Sequence, residues 1–264
     1  MTSFELDGAA ALEQYAPAAA AAFRRVQDVR PSGLYDEVLE SPPVAAFAEQ
    51  FRADVSRIDE RLRSDFADAT GKHQLDVAQM VWISDMSPRL TAALDAVFAP
   101  STWPVVPRRV PVADVGALIE SFQASVALLG GLDPITTELV RLRGARQHQC
   151  RVCSSRRSVA AIEAGADDAT FAAVDRHEES DLSPAAKAAL ALTDAIIWTP
   201  LAIPASVVAD ARRELTPAQA VEVVLDVVRN AANKVAVALG ADAPAVTEGV
   251  ELFVTEPDGT LTVV

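Results

Sequence analysis

The chain has 264 residues and a mass of 27.9 kDa, enough for one large domain or two small ones with an ample core. Hydrophobic residues make up 50% of it but aromatic residues only 5%, and alanine carries much of the apolar fraction, which favours close-packed helices over sheets. A net charge of -14 and a pI of about 4.6 argue against nucleic acid or an anionic membrane surface as a partner.

An all-α fold is therefore expected. Residues 9–30 read as a first helix, interrupted or started at Pro17 and ended by Pro31-Ser-Gly33. Over residues 43–62, Val44, Phe47, Phe51, Val55, Ile58 and Leu62 recur at three and four residues, the spacing of one helical face. Gly71 is a break. Residues 74–98 are apolar along most of their length, and Ser87-Pro88 either kinks that helix or starts a new one.

Residues 99–107 hold prolines at 100, 104 and 107, which forbids a regular helix. The boundary is placed here, between an N-terminal helical segment, 1–104, and a second helical domain, 105–264. Residues 112–129 are helical again until Gly130-Gly131. Asp133-Pro134, Ser183-Pro184 and Thr216-Pro217 each read as a cap followed by a proline in the first turn. Residues 151–164 read as one helix stopped by Gly165. From Leu252 onward the chain reads as an extended tail. A weak echo lays residues 74–94 on 219–239 at a constant offset, with Arg89 opposite Lys234, which suggests a degenerate copy of one helical unit.

No stretch approaches the ~20 apolar residues that span a bilayer. The N-terminus lacks the basic region of a signal peptide, so a cytoplasmic protein is expected. In that compartment a close dithiol is more often catalytic than structural.

The only cysteines are Cys150 and Cys153, separated by Arg151 and Val152. At a helix start this spacing suits a redox-active dithiol, because the neighbouring sulfur and the free N–H groups stabilise a thiolate. Inert buried thiols are the plain alternative. Structural zinc needs more ligands than one CxxC supplies, and His73, His148 and His177 are scattered, so no metal is expected. On the expected helix, Arg156 and Arg157 lie three and four residues beyond Cys153, over its face.

Glu138, Cys150 twelve positions on, Cys153, and a following segment ending in Gly165 resemble the alkylhydroperoxidase AhpD and carboxymuconolactone decarboxylase family. The stretch from Leu215 to Gly240, with Asn230 and Asn233, also resembles a C-terminal helix of that family; together the resemblance covers roughly 110–245. It implies an all-α, AhpD-like multi-helical bundle and an oligomeric protein that reduces hydroperoxides without a bound cofactor. By that resemblance Cys153 attacks the peroxide, Cys150 closes the disulfide and Glu138 assists proton transfer. A dithiol reductant, a lipoyl domain or a thioredoxin-like protein, restores the pair.

The pattern departs from the family at one place. The family's histidine four residues after the second cysteine is Arg157 here, which stays protonated near neutral pH and cannot act as a base. Arg156 and Arg157 are left with electrostatic support of a thiolate. His148 stands two residues before Cys150 as a candidate substitute, against the reading of an exposed loop histidine. His177 reads as part of a solvated acidic linker. Glu138 has a plainer role open to it, pairing with Arg141 or Arg143. The alternatives in function are a redox-sensing or catalytically decayed helical scaffold, and a carboxymuconolactone decarboxylase-like enzyme, against which the CxxC argues. The long apolar helices, 74–98 above all, lead to the expectation of a homo-oligomer.

Overall fold

The structure, a computed structural model, describes residues 3–27, 29–30, 34–103, 108–109 and 115–264. Asp7 caps α1 (Gly8–Tyr15) by accepting from the Ala10 N–H. Pro17 then starts α2 (Pro17–Gln27) rather than interrupting it, since a first-turn residue needs no N–H donor. Pro31 to Gly33, the expected stop, and the proposed boundary at 104/105 lie outside the described residues. The pair β1 (Val29–Arg30) and β2 (Arg108–Arg109) runs parallel. A short α3 (Leu34–Leu39) follows β1.

The single helix expected over 43–62 is two: α4 (Pro42–Asp54) and α5 (Glu60–Thr70). Asp54 turns its carboxylate onto the Ser56 N–H and Asp59 onto the Leu62 N–H, so each caps a new start instead of continuing the old helix. Val55 and Ile58 stay buried through the turn, which is why the apolar spacing runs on across the break. Gly71, at φ +55°, ends α5. Then α6 (Gln74–Val97) passes through Pro88 as one helix.

The second half begins with α7 (Val115–Ala127). Asp133 caps α8 (Pro134–Gln147). The helix expected over 151–164 is divided into α9 (Arg151–Ser154), a strand β3 (Arg156–Ser158) and α10 (Val159–Glu163). The carbonyls that a longer helix would use are taken elsewhere. Cys153 O and Arg156 O both accept from Arg141, and Ser155 O accepts from the Glu251 N–H. Ser158 then recaps α10 through the Ala161 N–H.

Next come α11 (Asp168–Ala172), α12 (Pro184–Trp198), α13 (Ala205–Glu214), α14 (Pro217–Asn230) and α15 (Lys234–Ala238). Thr216 and Gln219 form a reciprocal capping box at the start of α14. The tail is β4 (Glu251–Thr255) and β5 (Leu261–Val263). In the sheet β3 runs parallel to β4, with Arg157 opposite Leu252, and β4 runs antiparallel to β5. The fold is otherwise helical, and no helix among the described residues is long and apolar enough to cross a membrane.

One cluster of buried side chains runs from Ala11 to Ala238 across both halves. Its centre is α14, buried without a break from Ala220 to Val228, with α1, α6, α7, α8 and α12 packed around it. The long apolar face of α6 is likewise covered inside this chain. Between the halves lies a buried charge cluster. Asp85 accepts from Arg89 Nε at 2.6 Å and from Lys234 Nζ at 2.6 Å. Arg89 also donates to Ile196 O at 3.0 Å and Arg52 O at 2.7 Å, tying down two helix C-termini. The residues that the 145-position offset places opposite each other, Arg89 and Lys234, thus meet on one carboxylate.

Candidate functional site

The site is the junction of α8 and α9. His148 ends α8, and Gln149 takes φ +52°, the left-handed region that L side chains rarely adopt. This reversal lets the Cys150 N–H reach Ala145 O at 2.9 Å and sets Cys150 as the cap of α9. Cys150 and Cys153 form a disulfide, their Cα atoms 5.3 Å apart. The Cys153 N–H donates to Cys150 Sγ at 3.3 Å.

The other free N–H groups of the α9 start do not wait for an anion, because Asp242 takes them. Its carboxylate accepts from Arg151 N at 2.9 Å and its carbonyl from Val152 N at 3.0 Å. The Arg151 guanidinium closes the clamp at 2.7 Å. Burial opposes charge on Asp242, but the hydrogen bonds from Arg151 prevail and hold its pKa below the usual carboxylate value. Both cysteines are covered, Cys150 at 1% exposure and Cys153 at 5%. A polar groove of about 960 Å³ runs alongside, walled by Gln149, Arg151, Asp242 and Gly240 on one side and by Glu60 and Arg63 of α5 on the other.

Glu138 projects from α8 and is buried. Arg141, one turn on, grips both of its oxygens at 2.6 and 2.7 Å, and the Ser158 N–H adds a contact at 3.3 Å. The same guanidinium donates to Cys153 O at 2.9 Å and Arg156 O at 2.8 Å, and lies over the Phe253 ring at 5.3 Å. Arg141 is therefore the bolt between α8, the disulfide helix and the sheet.

Arg156 and Arg157 do not share a helix with Cys153, because β3 intervenes; the helical spacing that set both over its sulfur is absent. Arg156 pairs with Glu251 at 3.1 Å. Arg157 donates to Ser154 O at 2.8 Å and packs on Phe171 at 5.2 Å. Burial, then repulsion from Arg141, lowers the Arg157 pKa from its usual value.

His148 is buried, not an exposed loop residue. Burial first, then the charges of Lys234 and Arg89, push its pKa well below the ordinary histidine value, so the ring is neutral. It makes no side-chain hydrogen bond among the described residues. His177 is also buried rather than solvated, with Nε2 at 3.2 Å from Asp194, whose two oxygens Arg143 holds at 2.7 Å each. That group is not drawn into the dithiol site. Asn230 Nδ2 is buried without a partner among the described residues. Sequence reasoning missed Asp242, Arg141 as the bolt, and Phe253. Each acts through contacts distant in the chain or through a role that spacing does not encode.

The carboxymuconolactone decarboxylase family model matches residues 113–195, a span holding Glu138, both cysteines and Arg157. Two Mycobacterium tuberculosis proteins, the uncharacterized MT2376 and Rv2313c, are each 40% identical over 235 residues, covering 83% of this chain and 81% of the relative. No solved structure matches. With Glu138, the cysteine pair and the helical surroundings in the matched span, the chain belongs to the carboxymuconolactone decarboxylase family, which includes AhpD.

Proposed function

We propose that the protein is a dithiol-dependent hydroperoxide reductase of the AhpD type. The observation that carries this reading is the Cys150–Cys153 disulfide at the start of α9, twelve residues beyond the buried Glu138. In the reduced state the Cys153 thiolate attacks the outer peroxide oxygen. The O–O bond breaks, an alcohol leaves with a proton, and Cys153 becomes a sulfenic acid. Cys150 attacks that sulfur, water leaves, and the disulfide forms. An external dithiol, a lipoyl domain or a thioredoxin-like protein reaching in along the groove beside Gln149 and Arg151, reduces it by thiol–disulfide exchange.

Proton handling differs from the family pattern. Glu138 is held by Arg141, so it fixes the site's geometry and charge. The burial and the Lys234 and Arg89 charges that hold His148 neutral also disfavour its imidazolium, so the ring is a weak acceptor for the thiol proton and does not stand in for the histidine that Arg157 replaces. Access requires the cover over the sulfurs to open, and the Arg151–Asp242 clamp, whose arginine side chain is 58% exposed, is the seam on which it opens.

Consumption of cumene hydroperoxide with dithiothreitol as reductant tests the reading. Turnover is expected in the parent, none in Cys153→Ser, and a single reaction in Cys150→Ser. A second reading, a redox-sensing scaffold, draws on the burial of both sulfurs. It predicts a disulfide that opens and closes, followed by mass spectrometry, with no catalytic turnover.

A further inference from the structure

A separate cavity of about 580 Å³ opens in the N-terminal half between α4 and α6, within the ~300–1,000 Å³ span of small-molecule sites. Among the described residues none of the dithiol site lines it, so it is a second site in space. Its wall is aliphatic, including Val29, Leu39, Val44, Ala48, Met80 and Val81.

Most polar groups on the wall are engaged within the protein. Ser84 Oγ donates to Val81 O at 2.8 Å, and Thr91 Oγ1 donates to Ser87 O and Pro88 O at 3.2 Å each. Trp103 Nε1 donates to the Asp95 carboxylate at 3.0 and 3.1 Å. Arg52 is different. Its guanidinium meets one hydroxyl, Ser84 Oγ at 3.2 Å, and forms no ion pair among the described residues. It is also the sole cation among the described residues lining the cavity. An apolar cavity with one guanidinium at its rim that no carboxylate neutralises among the described residues complements a molecule with a hydrocarbon body and a single anionic end. A carboxylate matches the planar fork of arginine, whereas a dianionic phosphate calls for more than one donor group.

We propose that this cavity binds an aliphatic carboxylic acid, its chain against Val44, Ala48 and Val81 and its carboxylate on Arg52. Because α6 carries both this wall and the Asp85–Arg89 pair, a ligand here also raises the melting temperature of the whole chain by mass action.

The test is calorimetric titration of the full chain with decanoate, with decanol and decyltrimethylammonium as chain-matched probes. Decanoate is expected to bind one equivalent, decanol ~10-fold or more weakly, and the cation not at all. Arg52→Gln, at an exposed side chain, should weaken decanoate ~10-fold and leave decanol unchanged. Ala48→Phe should abolish binding of both. Absence of saturable binding, equal affinity for acid and alcohol, or an unaffected Arg52→Gln overturns the proposal. So does a sedimentation change on Ala48→Phe with decanoate binding intact, which would make this face a protein interface.

Discussion

Asp242 holds Arg151 twice over, by its backbone N–H at 2.9 Å and by its guanidinium at 2.7 Å, and in doing so occupies the helix start beside Cys150. A carboxylate at that place competes with a thiolate for the Arg151 N–H and pins the start of α9 to the segment after α15. Asp242→Ala is therefore expected to speed alkylation of the reduced cysteines by about tenfold or more, at a stability cost of ~1–2 kcal/mol for the lost cap. Iodoacetamide labelling followed by mass spectrometry reads it. Unchanged labelling rates would show that access does not run through this seam.

The Glu138–Arg141 pair is buried and bidentate, so breaking one side strands a charge. Glu138→Gln and Arg141→Met should each cost ~3–5 kcal/mol, and the double variant less than the sum. Urea denaturation of the four proteins closes the cycle. Additive losses would mean that the two side chains do not act as a unit.

The Asp85 cluster holds two cations on one carboxylate, which gives an order of severity. Asp85→Asn removes the carboxylate that both Arg89 and Lys234 bond, leaving Lys234 only the weaker field of Asp54, while Lys234→Met still leaves Asp85 its bond to Arg89. The first should be the more destabilising, by ~2 kcal/mol or more, as measured by denaturant midpoint. The reverse order would contradict the cluster's charge balance.

Asp226 supplies a pH dependence. Burial raises its pKa to about 7, against a smaller opposing pull from Arg229, and Glu222 adds to the rise. The folded state thus binds this proton more tightly than the unfolded chain, whose carboxylate has its ordinary value of 3.8. The stabilisation that this group lends is present at low pH and is lost as pH rises from about 4 through about 7. His148 slopes the other way: its folded pKa is depressed, so stability falls as pH drops below 6.5. Asp226→Asn should remove the loss on the alkaline side and raise the melting temperature at pH 8 relative to the parent. A parent-like profile in the variant would show that the carboxylate is not protonated in the fold.

Helix starts were legible wherever a short polar side chain precedes a proline. Asp133, Ser183 and Thr216 all cap as expected, because the signal lies within four residues. The twelve-residue interval from Glu138 to Cys150 pointed to the α8–α9 junction because both residues lie on, or one turn beyond, a single helix. The strand at β3 was not legible. Its partner Glu251 lies 95 positions away, and the local sequence Arg156-Arg157-Ser158 carries no alternation to betray it. His148 misled because local polarity suggests a loop, while Arg89 and Lys234, brought up by α6 and α15, decide its surroundings. His177 misled similarly, sitting among acidic neighbours in sequence but against Asp194 in space.

Asp242, which clamps the start of α9, and β4, whose Glu251 and Phe253 meet Arg156 and Arg141, follow every helix of the bundle in the chain. Translation therefore delivers the counter-charges of Arg151 and Arg156 last, and a nascent chain that ends at α15 carries the cysteine helix without the two ion pairs that fasten its flanks.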